Sequence, residues 1–310
     1  MNREIIIIAG PTAVGKTKYA IEIAKGFNGE IISSDSMQLY KFMNIGSAKP
    51  TAEEQVQVKH YLVDEIDPRE PFSVAEYQKR AKSAIEQIFL QEKTPIISGG
   101  TGLYVNSLIY DMDFSAPPVG NVYREKLEKL ALEYGNEYVH KLLEEKDREA
   151  AARIHPNNVK KVIRALEVAD HSEQGIKSFE QSFIKTKDYS YKIIGLCRNR
   201  EELYERINLR VDMLLDMGLV DEIKSLLNMG LTADNISMKG IGYKEIIGYL
   251  NGEYDLEHAI YLVKRNTRHY AKRQMTWFRR YDDIKWFNIS EYKSDDEALK
   301  EIITWLKENR

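Results

Sequence analysis

The sequence has a single cysteine, Cys197, among its 310 residues. One thiol excludes an internal disulfide and a cysteine-based zinc site, and it fits a reducing, cytoplasmic setting. Long apolar runs are also missing. The isoleucines from Ile5 to Ile8 make too short a stretch for a signal peptide or a membrane span, so no membrane association is expected. They read instead as a buried strand. Net positive charge is absent: 45 basic against 48 acidic residues leave −3, so a nucleic-acid partner must be met by a local basic patch. There is no internal repeat and no low-complexity segment. What is there is an ordinary globular composition, in a chain long enough for one large domain or two moderate ones.

The first third alternates strands and helices. Ile5–Ala9 reads as a strand, Lys16–Gly26 as a helix, Glu30–Ser33 as a second strand and Thr94–Ser98 as a third. Thr51 with Glu54 and Ser73 with Glu76 both have the capping-box form, so helices are expected to begin there, the second running to about Gln91. Such alternation predicts an α/β fold with a parallel sheet and helices on both faces. The paired prolines of Phe114-Ser-Ala-Pro-Pro118 mark a boundary. From Tyr123 to about Glu180 the pattern is helical and charged. Tyr191–Cys197 reads as a strand again, and beyond Asn199 the chain is mostly helical, with Ile207, Val211, Leu214 and Leu215 on one apolar stripe and Gly218 and Gly230 as stops. The expected organisation is a core of residues 1–113 and 190–310 with a helical insertion at 114–189.

The segment Gly10-Pro11-Thr12-Ala13-Val14-Gly15-Lys16-Thr17 matches the Walker A pattern in full, between an isoleucine-rich strand and a helix. Glycines let successive N–H groups face one anion, and the helix N-terminus adds favourable potential. Lys16 supplies a mobile charge, and Thr17 can place a hydroxyl on Mg²⁺. The expected ligand is a diphosphate or triphosphate tail. A typical P-loop ATPase also ends a strand in a metal-binding Asp. Here Pro95-Ile-Ile-Ser98 runs into Gly99-Gly100-Thr101-Gly102 with no carboxylate, which weighs against an ATPase or GTPase.

Further segments carry a resemblance. They are Ile31-Ile-Ser-Ser-Asp35-Ser36-Met37-Gln38-Leu-Tyr40, Asn44-Ile-Gly-Ser-Ala-Lys49-Pro50, Gly99-Gly-Thr101-Gly-Leu-Tyr104, His155-Pro-Asn157, Arg164-Ala-Leu-Glu-Val168, Gly240-Ile-Gly-Tyr243-Lys and Thr267-Arg-His-Tyr-Ala-Lys-Arg-Gln-Met-Thr-Trp-Phe278. In this order, over nearly the whole chain, they resemble the tRNA dimethylallyltransferase (tRNA isopentenyltransferase) family of the bacterial type, without an appended zinc finger. The resemblance implies a P-loop NTPase-like core and transfer of a dimethylallyl group from dimethylallyl diphosphate to N6 of the adenosine 3′ of a tRNA anticodon, with release of pyrophosphate. It implies Mg²⁺ and a tRNA anticodon stem-loop as partners, and a monomer is expected. One departure is Lys160-Lys161, where many relatives carry Gln-Arg.

The resemblance also assigns roles. Asp35 is the candidate general base, at a strand end where ligands of parallel sheets sit; a plain helix-cap role would equally explain an Asp-Ser pair. Thr101 is a candidate for contact with the target nucleotide or the diphosphate, against a simple N-cap. Arg210 is a candidate for neutralising pyrophosphate, against a solvated helix arginine. Ser36, Met37, Gln38 and Arg124 join the RNA-contact candidates. Lys160, Lys161 and Arg164 share one side of a helix. The run Lys264–Arg280, which includes Lys272 and Arg273, carries seven cations and no acid; its charges suit RNA phosphates, while Trp277 and Phe278 are expected in the core. The competing readings are an adenine-nucleotide prenyltransferase, a P-loop metabolite kinase and a non-catalytic RNA-binding protein.

Overall fold

The computed structural model describes residues 3–112, 121–171 and 184–309. In chain order it holds β1 (Glu4–Ala9), α1 (Lys16–Gly26), β2 (Gly29–Ser33), α2 (Ala52–Gln57), β3 (His60–Tyr61), α3 (Val74–Leu90), β4 (Thr94–Gly99) and α4 (Gly102–Ile109). Then come α5 (Asn121–Tyr134), α6 (Asn136–Lys146), α7 (Arg148–Arg153) and α8 (Val159–His171). The chain returns through β5 (Ser190–Cys197), α9 (Arg200–Asp216), α10 (Leu219–Asn228), α11 (Tyr243–Leu250), α12 (Leu256–Phe278), β6 (Ile284–Asn288) and α13 (Asp295–Glu308).

The chain divides into two compact units, Met1–Ile109 with Lys187–Arg310, and Tyr110–Thr186. The proline-rich boundary at Phe114–Pro118 and the end of the charged helical stretch, 172–180, lie outside the described residues.

The first unit is built on one sheet of order β3-β2-β4-β1-β5-β6, with every pair parallel. Ile5 to Ile8 in β1 are at most 1% exposed, because a central parallel strand is covered on both faces. Burying one such side chain contributes about 1.5–3 kcal/mol. Two strands were not anticipated. β3 is two residues long, too short for a periodic signal, and β6 sits at the sheet edge inside a mainly helical tract. Both capping boxes form: Thr51 accepts from the Glu54 N–H at 3.2 Å and Ser73 from the Glu76 N–H at 3.2 Å, with each glutamate reaching back.

The sheet order places the ligand edge. From β1 the chain passes over β4 to reach β2, whereas from β4 it passes to the other side of β1. Connections that leave in opposite directions open a crevice beyond the carboxyl ends of β1 and β4. The loops carrying Gly10–Gly15 and Gly99–Thr101 meet there.

The second unit is helical where described. Leu127, Val139, Leu143, Val162, Ile163 and Leu166 form its core. α8 carries this apolar face opposite Lys160 and Lys161, which are exposed.

Candidate active site

The Gly10–Thr17 loop is shaped from both sides. Gly10 has φ 153°, and a Cβ there would lie 2.6 Å from the Leu196 carbonyl oxygen of β5, so only glycine fits. Ala13 and Gly15 are also left-handed, at φ 63° and 111°, which turns the loop into a concave run of N–H groups. From behind, Arg206 Nε donates to the Ala13 carbonyl at 3.0 Å and Arg198 Nε to the Val14 carbonyl at 3.2 Å. Those two bonds anchor the outer carbonyls of the loop. Neither arginine was singled out from the sequence. Arg198 directly follows β5, a strand-end position like that of Asp35, which could have drawn attention to it; Arg206 carries no such signal.

Lys16 lies folded over its own loop. Its Nζ donates to the Gly10 and Pro11 carbonyls at 3.0 and 2.8 Å. Burial pulls its pKa down to about 8; the Asp35 carboxylate opposes that fall and the Arg210 guanidinium adds to it. Thr17, in the first turn of α1, is partly buried.

Asp35 follows β2. Its Oδ1 accepts from the Met37 N–H at 2.8 Å and the Gln38 N–H at 3.4 Å, so it does hold a turn. It also lines a cavity of about 450 Å³, and its charge acts on Lys16, Arg210, Tyr104 and Tyr270. The cap and the site are therefore one residue: one oxygen secures the turn at the rim of the ligand space. Thr101 Oγ1 accepts the Ser36 N–H at 3.1 Å, and the Thr101 N–H donates to the Ser34 carbonyl at 3.1 Å. Thr101 thus ties the turn after β4 to the turn after β2, rather than capping α4 alone.

Arg210 of α9 lines the same cavity and has no hydrogen-bond partner among the described residues. Burial lowers its pKa, with Asp35 working against the shift. It is not a solvated helix arginine. Ile207, Val211 and Leu214 of α9 form an apolar wall beside it. Thr12, Ser36 and Met37 also line the space, as does Tyr270. Burial first, then Asp35, pushes the Tyr270 phenol up to about 12.

The motif segments that lacked a sequence-level role form the opposite wall. Glu222 of α10 accepts from the N–H groups of Asn44, Ile45 and Gly46 at 2.7, 2.7 and 3.0 Å and from the Tyr243 hydroxyl at 2.9 Å. One carboxylate holds both Asn44–Lys49 and Gly240–Lys244 around the cavity.

The RNA-contact candidates separate. Gln38 lies outside the cavity lining, its amide donating to the Ala48 carbonyl at 3.2 Å and accepting from the Ser33 hydroxyl at 3.0 Å. Arg273 lines the cavity rim and lies over the Tyr270 ring, while Lys272 is exposed. The run Lys264–Arg280 is not uniformly free: Lys264 pairs with Asp212 at 2.6 Å and Arg268 donates to Asn208 at 2.6 Å, both pinning α12 to α9. As expected, Phe278 is fully buried; Trp277 is partly so. In the second unit Arg124 grips Glu167 with two bonds of 2.7 and 2.9 Å, and Arg164 adds a third at 3.1 Å. Burial favours the neutral Glu167 acid, but the hydrogen bonds from both arginines outweigh it and hold the carboxyl below its ordinary value. These two arginines are structural pins as well as RNA candidates.

Residues 38–281 match the family described as IPP transferase. A tRNA dimethylallyltransferase of Alkaliphilus oremlandii is 54% identical over 303 residues, covering 98% of this chain and 97% of its own. One from Clostridioides difficile is 53% identical over 305 residues, 98% of each. Among solved structures, the tRNA isopentenylpyrophosphate transferase of Bacillus halodurans superposes with a TM-score of 0.75 at 43% identity, covering 99% of this chain and 96% of that one. A eukaryotic dimethylallyltransferase studied acting on tRNA superposes at 0.85 with 29% identity, over 99% of this chain and 80% of that one. On the strength of a match across most of its length and of relatives above half identity, this chain belongs to the IPP transferase family.

Proposed function

We propose that this chain transfers a dimethylallyl group from dimethylallyl diphosphate to N6 of the adenosine on the 3′ side of a tRNA anticodon, releasing pyrophosphate. The observation that carries the reading is a cavity with an apolar wall, lined by Arg210, Asp35 and the P-loop residue Thr12, with Lys16 near enough to feel the charges of both Arg210 and Asp35. The cations suit a diphosphate, and the α9 wall shelters an allylic tail from water. The C1–O bond to diphosphate breaks as the N6–C1 bond forms. Loop amides, Lys16 and Arg210 stabilise the charge that builds on the leaving oxygen, while Asp35 takes the N6 proton.

A divalent cation fits this arrangement. Among the described residues there is no cluster of three or more His, Cys, Asp or Glu side chains placed for a metal. Mg²⁺ in phosphate sites draws most of its ligands from substrate oxygens and water, and Thr17 offers one hydroxyl. When bound, the ion would neutralise diphosphate charge. A monomeric, cytoplasmic enzyme is part of the proposal; among the described residues no helix is long and apolar enough to cross a membrane.

The test is incubation with radiolabelled dimethylallyl diphosphate and either unmodified tRNA or AMP. Label in tRNA alone supports the reading. Label in AMP selects a nucleotide prenyltransferase, and no label in either rejects both.

Diphosphate affinity should fall as pH rises above about 8. Free Lys16 loses its proton near that value, and an anionic partner raises its pKa, so binding above pH 8 takes up a proton. Linkage then weakens binding by up to about tenfold per pH unit. Calorimetry with dimethylallyl diphosphate at pH 7 and 9 measures this, and equal affinities would show that Lys16 is not the partner.

RNA binding should weaken with salt. Neutralising Lys160 or Lys161 should lower the slope of log K against log salt by about 0.7–0.9 for each phosphate that then goes unmatched. Arg164→Ala should change it less, since Arg164 is already hydrogen-bonded to Glu167. An unchanged slope in the Lys160→Ala, Lys161→Ala double variant would place the RNA elsewhere.

A further inference from the structure

We propose that Gln274 is a positioning residue that sets the distance between the diphosphate loop and the turn carrying Thr101, and so aligns the leaving group with the acceptor amine. The inference rests on the transfer reading above. It starts from a buried amide in α12 that is 4% exposed and is hydrogen-bonded at both its oxygen and its nitrogen. Oε1 accepts the Thr12 N–H at 2.9 Å, and Nε2 donates to the Gly100 carbonyl at 3.0 Å. The orientation of the amide follows from its partners, because Thr12 N–H can only donate and Gly100 O can only accept.

The connection is continuous. It runs from Thr12 in the P-loop through Gln274 to the Gly100 carbonyl, along the backbone to Thr101, and from the Thr101 hydroxyl to the Ser36 N–H, next to Asp35. The fit is close: a Cβ on Gly100 would fall 2.1 Å from Gln274 Nε2, so the glycine is what lets the amide reach the backbone. Gln274 touches loop and turn but does not line the cavity. It therefore acts on the reaction through the groups it holds. Displacing reacting groups by about 1 Å can lower a rate by about 10²-fold without abolishing binding.

Two substitutions separate positioning from mere packing. Gln274→Met keeps the length and removes both polar interactions. Gln274→Glu keeps the acceptor for Thr12, but a carboxylate cannot donate to Gly100; once protonated, it again has one donor and one acceptor. Steady-state kinetics with dimethylallyl diphosphate and an anticodon stem-loop RNA are measured from pH 5.5 to 8.5, alongside thermal unfolding. For Gln274→Met we expect kcat to fall about 10²-fold, with KM for the diphosphate within about threefold. For Gln274→Glu we expect the rate relative to wild type to rise as pH falls, since burial against the Gly100 carbonyl raises the carboxyl pKa. Wild-type kcat in a folded Gln274→Met, or a flat variant-to-wild-type ratio in Gln274→Glu, overturns the inference. If Gln274→Met does not fold, the Gln274→Glu profile decides alone. A wild-type enzyme that fails to label RNA instead overturns the transfer reading, which keeps the two failures distinct.

Discussion

Replacing Asp35 by Asn is expected to lower the transfer rate by about 10²–10⁴-fold while leaving RNA affinity in place. The substitution is clean because of what Asp35 does in the turn. Its Oδ1 accepts from the Met37 and Gln38 N–H groups, and an asparagine carbonyl can accept in the same geometry, with weaker, neutral bonds. The turn that presents Ser36 and Met37 to the cavity should survive, and only the basic, charged oxygen is removed. A second consequence tests the same charge. Asp35 holds the Lys16 pKa up against burial, so in the Asn variant the decline of diphosphate affinity should begin at a lower pH than in wild type. Single-turnover transfer and RNA binding, each compared between pH 6 and 9, measure both effects. An Asn variant that transfers at the wild-type rate across this range would reduce Asp35 to its cap role and leave leaving-group stabilisation as the main catalytic device.

Lys16→Ala and Thr17→Ala should each reduce transfer by about a hundredfold or more, because both remove stabilisation of charge that develops as the diphosphate leaves. The resting position of Lys16 sharpens the expectation. Its ammonium now bonds two loop carbonyls, and burial makes its proton easier to lose. Exchanging neutral carbonyls for a phosphate oxyanion is favourable for a desolvated cation, since a charge-assisted hydrogen bond is roughly twice as strong as a neutral one. The loop need not refold, because Arg198 and Arg206 hold its outer carbonyls whether or not Lys16 is present. Rapid-quench measurement of the chemical step, with dimethylallyl diphosphate saturating, isolates the effect from binding. Near wild-type turnover in both variants would place the diphosphate outside the P-loop. Arg210 provides an internal comparison: if it shares the leaving-group charge, Arg210→Met should affect the same step.

Much of this protein is written locally in its sequence. The strand Glu4–Ala9, the helix Lys16–Gly26 and both capping boxes follow from apolar runs, from glycine placement and from a side chain that reaches three residues along the chain. The Walker A segment Gly10–Thr17 belongs to the same class, since its eight residues contain both the glycines that bend it and the charge of Lys16. Asp35 and Thr101 are singled out by the family resemblance, at strand ends that the observed sheet brings together.

The tertiary structure decided the rest, and the reason is separation along the chain. Thr12 and Gln274 stand 262 positions apart, and no periodicity or turn rule links them. The same holds for Arg206 behind Ala13 at 193 positions, and for Glu222 in the loop at Asn44 at 178. The order of the strands, and so the crevice beyond β1 and β4, depends on which hydrophobic faces pack once all are present. Charge, too, changed meaning on folding. In sequence Lys264 and Arg268 belong to one acid-free run, and in space α9 supplies Asp212 and Asn208 as their partners. A sequence states which groups a chain owns within a few residues of one another; only packing decides which distant group satisfies a buried donor or cation, because a desolvated polar atom must find a partner wherever the fold supplies one.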